Sequence, residues 1–325
     1  MVNRAREGGS GGTGRGGAAP ATALFALALF ASVAAASGLS DIPAAFVDVG
    51  IGAREMGMAG AAVASTSGPT AVFWNPARLA DPAAGNGVAL THGEQMGLVP
   101  YSAAAGSWRA STNWIIGAGA IYSGDDALSE MTGVVSAARS FGSPAWLQGG
   151  DILAGLSLRA RRASFGNNES SGAQVTGSAV GAAVDAGIVI PLAEGVSLGA
   201  CGRDIVGVLN WDSSSSGAYE EGVPPALIVG LAFQILGDAV LEADLDKALS
   251  LDGRDLLALG LEVPVFDVAA LRGGYRKDLG NRNLEEFSVG GGASVPAACA
   301  ELELDVAYVF GELDDTLRLG VGLRF

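Results

Sequence analysis

The chain has 325 residues, 49% of them hydrophobic and only 16% charged; 50 are glycine, and the formal net charge is −15. Disordered chains are polar and charge-rich, so disorder is excluded, and an acidic chain with no run of Lys or Arg is unsuited to nucleic acid. Two cysteines, Cys201 and Cys299, and one histidine, His92, supply neither a disulfide framework nor a metal-ligand cluster, so no metal or cofactor is expected.

Residues 1–20 are glycine-rich and carry Arg4, Arg6 and Arg15 against Glu7. An apolar run follows from Ala21 to Val33, then the small residues Ala34, Ala35, Ala36 and Ser37. Basic, apolar and small-residue regions in that order predict a secretory signal peptide over residues 1–36. The apolar run falls short of the ~20 residues of a spanning helix. Cleavage removes three Arg and one Glu, which leaves 16 basic and 33 acidic side chains and a net charge of −17.

Residues 37–84 read as a segment of short helices ahead of the first strand. Gly50-Ile51-Gly52 superficially suggests a dinucleotide loop, but the third glycine of that fingerprint would fall at Glu55 and no alternation of strands and helices follows. Gly57 and Gly60, with Ala59 and Ala61, instead allow close packing against another surface. In Trp74-Asn75-Pro76-Ala77, Asn75 reads as a helix cap and Pro76 as the first helical residue.

From residue 85 to 325 the period is two. Leu317, Leu319, Val321, Leu323 and Phe325 share one face, with Arg318, Gly320, Gly322 and Arg324 on the other. Leu302 to Phe310, Leu227 to Ile235, Leu257 to Val263 and Ile152 to Leu158 alternate in the same way. Weaker candidates lie near 88–92, 101–110, 113–123, 132–141, 177–190, 195–206, 238–247, 266–276 and 286–296, about fourteen strands in all. Counted back from the C-terminus, alternate links are short (296–298, 264–265, 236–237, 191–195), while those between them, 278–286, 247–255, 210–222 and 166–176, are longer and more polar. After residue 37 no apolar run reaches ~18 residues. The fold expected is therefore all-β: a transmembrane antiparallel β-barrel of about fourteen strands, with residues 37–84 as an N-terminal plug.

A turn at 311–314 sets the last register, with Glu301 opposite Arg324, and Arg318 opposite Ala307 and diagonal to Asp305. Further lumen candidates are Arg159, Arg161, Glu242, Asp244, Asp246, Glu262, Arg272 and Glu303. These charges could select solutes in an open channel or brace a filled barrel as paired ladders; the second is preferred, because fourteen strands often enclose a filled lumen. His92 has no Ser or Cys partner that the sequence places beside it, so no enzyme is expected. Cys201 and Cys299 read as wall residues that could bridge only if adjacent. Trp74, Trp108, Trp114, Trp146 and Trp211 fall near element ends, as interfacial anchors do. Asp125-Asp126, Glu220-Glu221 and Asp314-Asp315 are assigned to outer loops.

Gly52–Ala61, with Ala53 and Arg54 inside it, and Val72–Ala80 resemble the opening of PorV/PorQ-type outer-membrane proteins, part of the wider FadL-like barrel group. The resemblance implies a fourteen-stranded barrel plugged by its N-terminal segment in the outer membrane of a Gram-negative bacterium. Asn75-Pro76-Ala77 resembles a plug motif of the fatty-acid-transporter branch. The ending, with Leu319, Val321, Leu323 and Phe325, resembles the signal read by the barrel-assembly machinery. The PorV/PorQ branch implies protein secretion or surface attachment, with outer-membrane lipid and secretion-system proteins as partners through 210–222 and 278–286. The alternative is passive carriage of hydrophobic small molecules, with a lateral wall opening at Gly290-Gly291-Gly292.

Overall fold

Strands with apolar residues on one face and glycine, alanine or charge on the other cannot settle in water, and here they close on themselves. The computed structural model describes residues 50–95, 99–124, 127–144, 149–166, 175–250, 255–280, 285–297, 299–311 and 315–325. The expected signal peptide, the start of the plug, Trp146, Asp125-Asp126 and Asp314 lie outside them.

The strands are β1 (Gly87–Gln95), β2 (Val99–Arg109), β3 (Trp114–Gly124), β4 (Leu128–Phe141), β5 (Ile152–Phe165), β6 (Gly177–Ala193), β7 (Val196–Ser213) and β8 (Gly217–Gly222). The second half comprises β9 (Ala226–Ile235), β10 (Ala239–Ala248), β11 (Leu256–Val265), β12 (Ala269–Asp278), β13 (Glu285–Ala297), β14 (Ala300–Gly311) and β15 (Thr316–Arg324). Consecutive strands other than β8 and β9 pair antiparallel, and β1 pairs with β15 to close the ring. Fourteen strands form the wall. The fifteenth, β8, pairs only with the far half of β7, while the near half of β7 pairs with β9.

The outer face is an apolar belt that includes Leu156, Val206, Leu271, Leu304 and Leu319, all exposed. A contiguous belt of this extent is untenable in water but matches hydrocarbon, and ring closure satisfies the backbone groups without a sheet edge. Tyr122, Phe287 and Phe310 are exposed toward one rim; Trp108, Trp114, Phe141 and Phe325 are exposed toward the other, which also carries Asn86 and the chain end. Paired aromatic girdles of this kind mark the two membrane interfaces. Leu319, Val321 and Leu323 belong to the outer face of β15, and Phe325, one residue beyond it, is exposed as well.

The last register pairs Glu301 with Arg324 and Ala307 with Arg318. Three expectations need correction. Residues 210–222 are no loop: Asn210–Ser213 and Gly217–Gly222 form a hairpin that prolongs the wall, with Glu220-Glu221 in strand β8. Alternation in that stretch is hidden by Ser214, Ser215 and Ser216, which form the tip. The β4–β5 link, residues 142–151, is ten residues long although it lies on the short-turn rim. Finally, Gly290–Gly292 pair without interruption to both β12 and β14, so the wall is continuous there.

The irregularity is elsewhere. Between Val184 and Ala186 of β6 the partner steps from Val206 to Gly202, so that Asp185 alone faces Arg203, Asp204 and Ile205. Asp204 has φ 50°, a left-handed conformation that Asp tolerates better than most side chains. One oxygen of Asp185 accepts the Asp204 amide at 2.8 Å and the other accepts Arg159 Nε at 2.5 Å, while Arg161 pairs with Asp204. This bulge falls where β7 changes partner from β9 to β8.

Leu261 stands on the outer face near the middle of β11. Leu261→Arg is expected to cost about 2–4 kcal/mol in lipid vesicles; denaturant unfolding curves that match the unsubstituted protein would contradict the assigned lipid face.

Candidate functional site

The ring encloses residues 50–86. Helix α1 (Ala53–Gly57) and helix α2 (Ala71–Trp74) are one turn each, and 3₁₀ turns cover Gly68–Thr70 and Pro76–Ala80. Such short helices leave most of their backbone groups without internal partners, so the surroundings must supply them.

One side of the segment is apolar. Ile51, Val72, Phe73 and Leu79 pack with Tyr101, Ile115, Val134, Leu153 and Val189 from β2 to β6. Burial of each large aliphatic or aromatic side chain contributes about 1.5–3 kcal/mol. The opposite side is polar. Asp244 Oδ2 accepts the amides of Ala62 and Val63 at 2.8 and 2.9 Å, and Glu242 Oε1 accepts that of Ala64 at 2.6 Å. Arg54 donates twice to Glu262, which also accepts from Arg272 Nε at 2.6 Å; Arg272 Nη1 continues to Asp305 at 2.6 Å. Plug and three strands thus share one chain of alternating charge.

Asn75 is fully buried: its amide donates to the Val63 carbonyl at 2.7 Å and its oxygen accepts the Ala77 amide at 3.1 Å, capping the turn that Pro76 opens. Trp74 Nε1 donates to the Ile51 carbonyl at 2.7 Å, and its ring lies over Gly60, whose φ is 81°. Gly52, φ 93°, precedes α1 and makes room for the Glu55 side chain folded back upon it; Glu55 Oε1 accepts the hydroxyls of Thr66 and Thr70. Ala53 is buried, and the Gly57 carbonyl accepts Ser288 Oγ.

Lumen-facing wall residues opposite the plug are glycine for steric reasons. A methyl group at Gly155 would stand 2.5 Å from the Pro76 carbonyl carbon, at Gly187 1.9 Å from Asn75 Oδ1, at Gly199 2.6 Å from the Val63 oxygen, and at Gly274 2.4 Å from the Met58 carbonyl carbon. These lie on β5, β6, β7 and β12, so the requirement runs round the ring.

All the charges assigned to the lumen are on inward-facing positions. Arg324 pairs with Glu301 and, at 3.7 Å, with Glu303. Arg159 also donates to the Phe73 carbonyl, at 3.3 Å. The diagonal contact expected between Arg318 and Asp305 does not form: Arg318 Nε donates to the Tyr101 hydroxyl at 2.6 Å, and Arg272 takes Asp305. Glu55, Thr66, Thr70 and Tyr101 were not anticipated. The recurrence of glycine on one face of strand after strand was the available sign of a close neighbour.

His92 does have a serine beside it: Ser102 Oγ is 3.0 Å from Nδ1, across the β1–β2 ladder. The pair faces outward, and the backbone amides beside it belong to the β ladders. Cys201 is buried in β7 and Cys299 is exposed in the β13–β14 turn; both are free.

The fold is a closed fourteen-stranded transmembrane barrel against whose inner face residues 50–86 pack. Among solved structures it is similar to the CymD monoaromatic hydrocarbon channel (TM-score 0.57, 17% identity, 85% of this chain and 96% of that one). It is also similar to the Pseudomonas putida toluene transporter TodX (0.56, 15%, 84% and 98%) and to a Pseudomonas aeruginosa FadL homologue (0.55, 12%, 83% and 96%). At these identities the likeness is one of fold. No protein-family model matches the chain, and no curated protein matches it in sequence.

Arg272→Ala leaves Asp305 without its arginine and Glu262 with Arg54 alone, and is expected to cost about 3–5 kcal/mol, whereas Arg54→Ala leaves both carboxylates paired with Arg272 and is expected to cost about 1.5–3 kcal/mol. The reverse order in denaturant unfolding would break the proposed chain of charge. Asp244→Ala leaves two plug amides without an acceptor; hydrogen exchange at residues 62–63 is expected to accelerate at least ~10-fold, with the outer strands unchanged.

Proposed function

We propose that the protein carries hydrophobic small molecules across the outer membrane of a Gram-negative bacterium, with residues 50–86 as a displaceable stopper. The observation that carries this reading is the two-sidedness of the plug. Its apolar side lies against β2 to β6, so withdrawing it from that wall exposes an apolar path. Its polar side stays tied to β10, β11 and β13 by carboxylates, Arg54 and Ser288. A core built only for stability has no need of this division.

Likeness of fold to channels described as carrying monoaromatic hydrocarbons and toluene supports the same class of cargo. It favours the carrier over secretion or surface attachment of proteins. The recess among Val63, Trp74, Ile228, Leu256, Arg203 and Arg276 measures about 40 Å³. An apolar cavity that takes benzene is about 150 Å³, so cargo of that size requires the stopper to move.

The test is a reversible lock. A methyl group at Gly320 would lie 3.4 Å from Ala53 Cβ, close to the ~3.8 Å between bridged Cβ atoms. In a Cys201→Ala, Cys299→Ser background, Ala53→Cys with Gly320→Cys is expected to form a disulfide that ties α1 to β15. Because α1 lies on the side that stays tied, uptake of radiolabelled toluene into proteoliposomes is expected to be equal in the oxidised and reduced states. Loss of uptake on oxidation would overturn the hinge on the polar side; no uptake by the unsubstituted protein would remove the carrier.

A further inference from the structure

We infer that Arg139, Trp114 and Phe141 form a binding site for a phosphate oxyanion on the outer wall, at the short-turn rim. Arg139 lies in β4 directly opposite Trp114 of β3, and Phe141 follows two residues later on the same face. Trp114 and Phe141 are 45% and 44% exposed. The guanidinium carbon stands 5.5 Å from the Trp114 ring centroid and 5.0 Å from that of Phe141. Two aromatic faces therefore hold the cation in place on the side of the wall that meets lipid.

Among the described residues the guanidinium has no acceptor. Its Nε is covered and makes no hydrogen bond, and among the described residues Arg139 has no carboxylate partner. Asp151, an acid of the adjoining β4–β5 link, is occupied by the Ser140 hydroxyl at 2.7 Å and the Ser143 amide at 3.1 Å. Residues 145–148 of that link contain no acid. Most other arginines of the wall have carboxylates: Arg159, Arg161, Arg272, Arg276 and Arg324 all form ion pairs. An arginine left unpaired in a chain of net charge −15 calls for an outside anion.

Space and depth select the ligand. On the flank away from Trp114, Arg139 faces Ala154 of β5, a side chain of a single methyl group. The neighbouring rings belong to the interfacial girdle, the level at which lipid headgroups sit. A phosphate there receives parallel donors from a planar guanidinium, the geometry that favours Arg over Lys. The phosphate belongs either to a lipid headgroup or to a free anion, and the two are separable.

Native mass spectrometry of the full chain in detergent, titrated with dioleoyl phosphatidylglycerol, tests the site. One lipid is expected to be retained, with affinity about tenfold weaker in Arg139→Gln and partly restored in Arg139→Lys. Dioleoylglycerol, which lacks the phosphate, should not distinguish the variants. Arg162→Gln, which removes an exposed outward charge of β5 toward the other rim, should leave the retained lipid in place. Heat-modifiable migration in gels checks that each variant is a folded barrel. An Arg139-dependent adduct of inorganic phosphate alone would assign the site to a free anion. Equal retention of phosphatidylglycerol by folded Arg139→Gln and the unsubstituted protein would overturn the proposal.

Discussion

A backbone led through the inside of a barrel must place its amides and carbonyls with little water to help. Glu242 and Asp244 are where this chain meets that demand most directly, accepting the amides of three consecutive residues, 62–64, from the wall. Two carboxylates so close on one strand repel each other, and both are buried. They are held there because the plug presents its amides to them. Plug and wall are in this sense one folding problem: neither surface is satisfied without the other.

The same logic orders the remaining charges. Arg54, Glu262, Arg272 and Asp305 alternate in sign, so each buried ion touches its opposite and the desolvation cost is shared along a network. The β6–β7 bulge uses the device locally, with Asp185 bridging the displaced backbone of Asp204 and the side chain of Arg159. Arg159 in turn reaches the Phe73 carbonyl, so this bulge in the paired wall is braced against the plug. A charged lumen that looks selective in sequence is largely consumed in pairs with itself and with residues 54–73.

That arrangement bears on function. In the proposed carrier, an apolar seam against β2 to β6 and a polar side toward β10 to β13 would make displacement asymmetric: parting the seam would expose apolar surface, while parting the other side would break ion pairs. Outward, the wall meets lipid with aromatic girdles, and at Arg139 those rings hold a charge instead of burying it.

Much of the architecture was legible in the chain itself, for a physical reason. Side chains on a strand alternate strictly, and a wall between hydrocarbon and a filled lumen writes that alternation into every strand, most plainly in Leu317–Phe325 and Leu302–Phe310. The short hairpin β8 escaped because its serines and acids belong to a stretch of wall with no apolar belt to face. The Asn75-Pro76 cap was readable because it is local. Partner choice was not: Arg318 turns to Tyr101 rather than Asp305, and Ser102 comes beside His92, because both depend on which strands become neighbours when the ring closes. The run Gly290–Gly292 shows the same division. Composition alone announces a strand that tolerates close approach; what it approaches is decided by the fold, where a methyl group at Gly290 would stand 3.1 Å from Gly57 Cα.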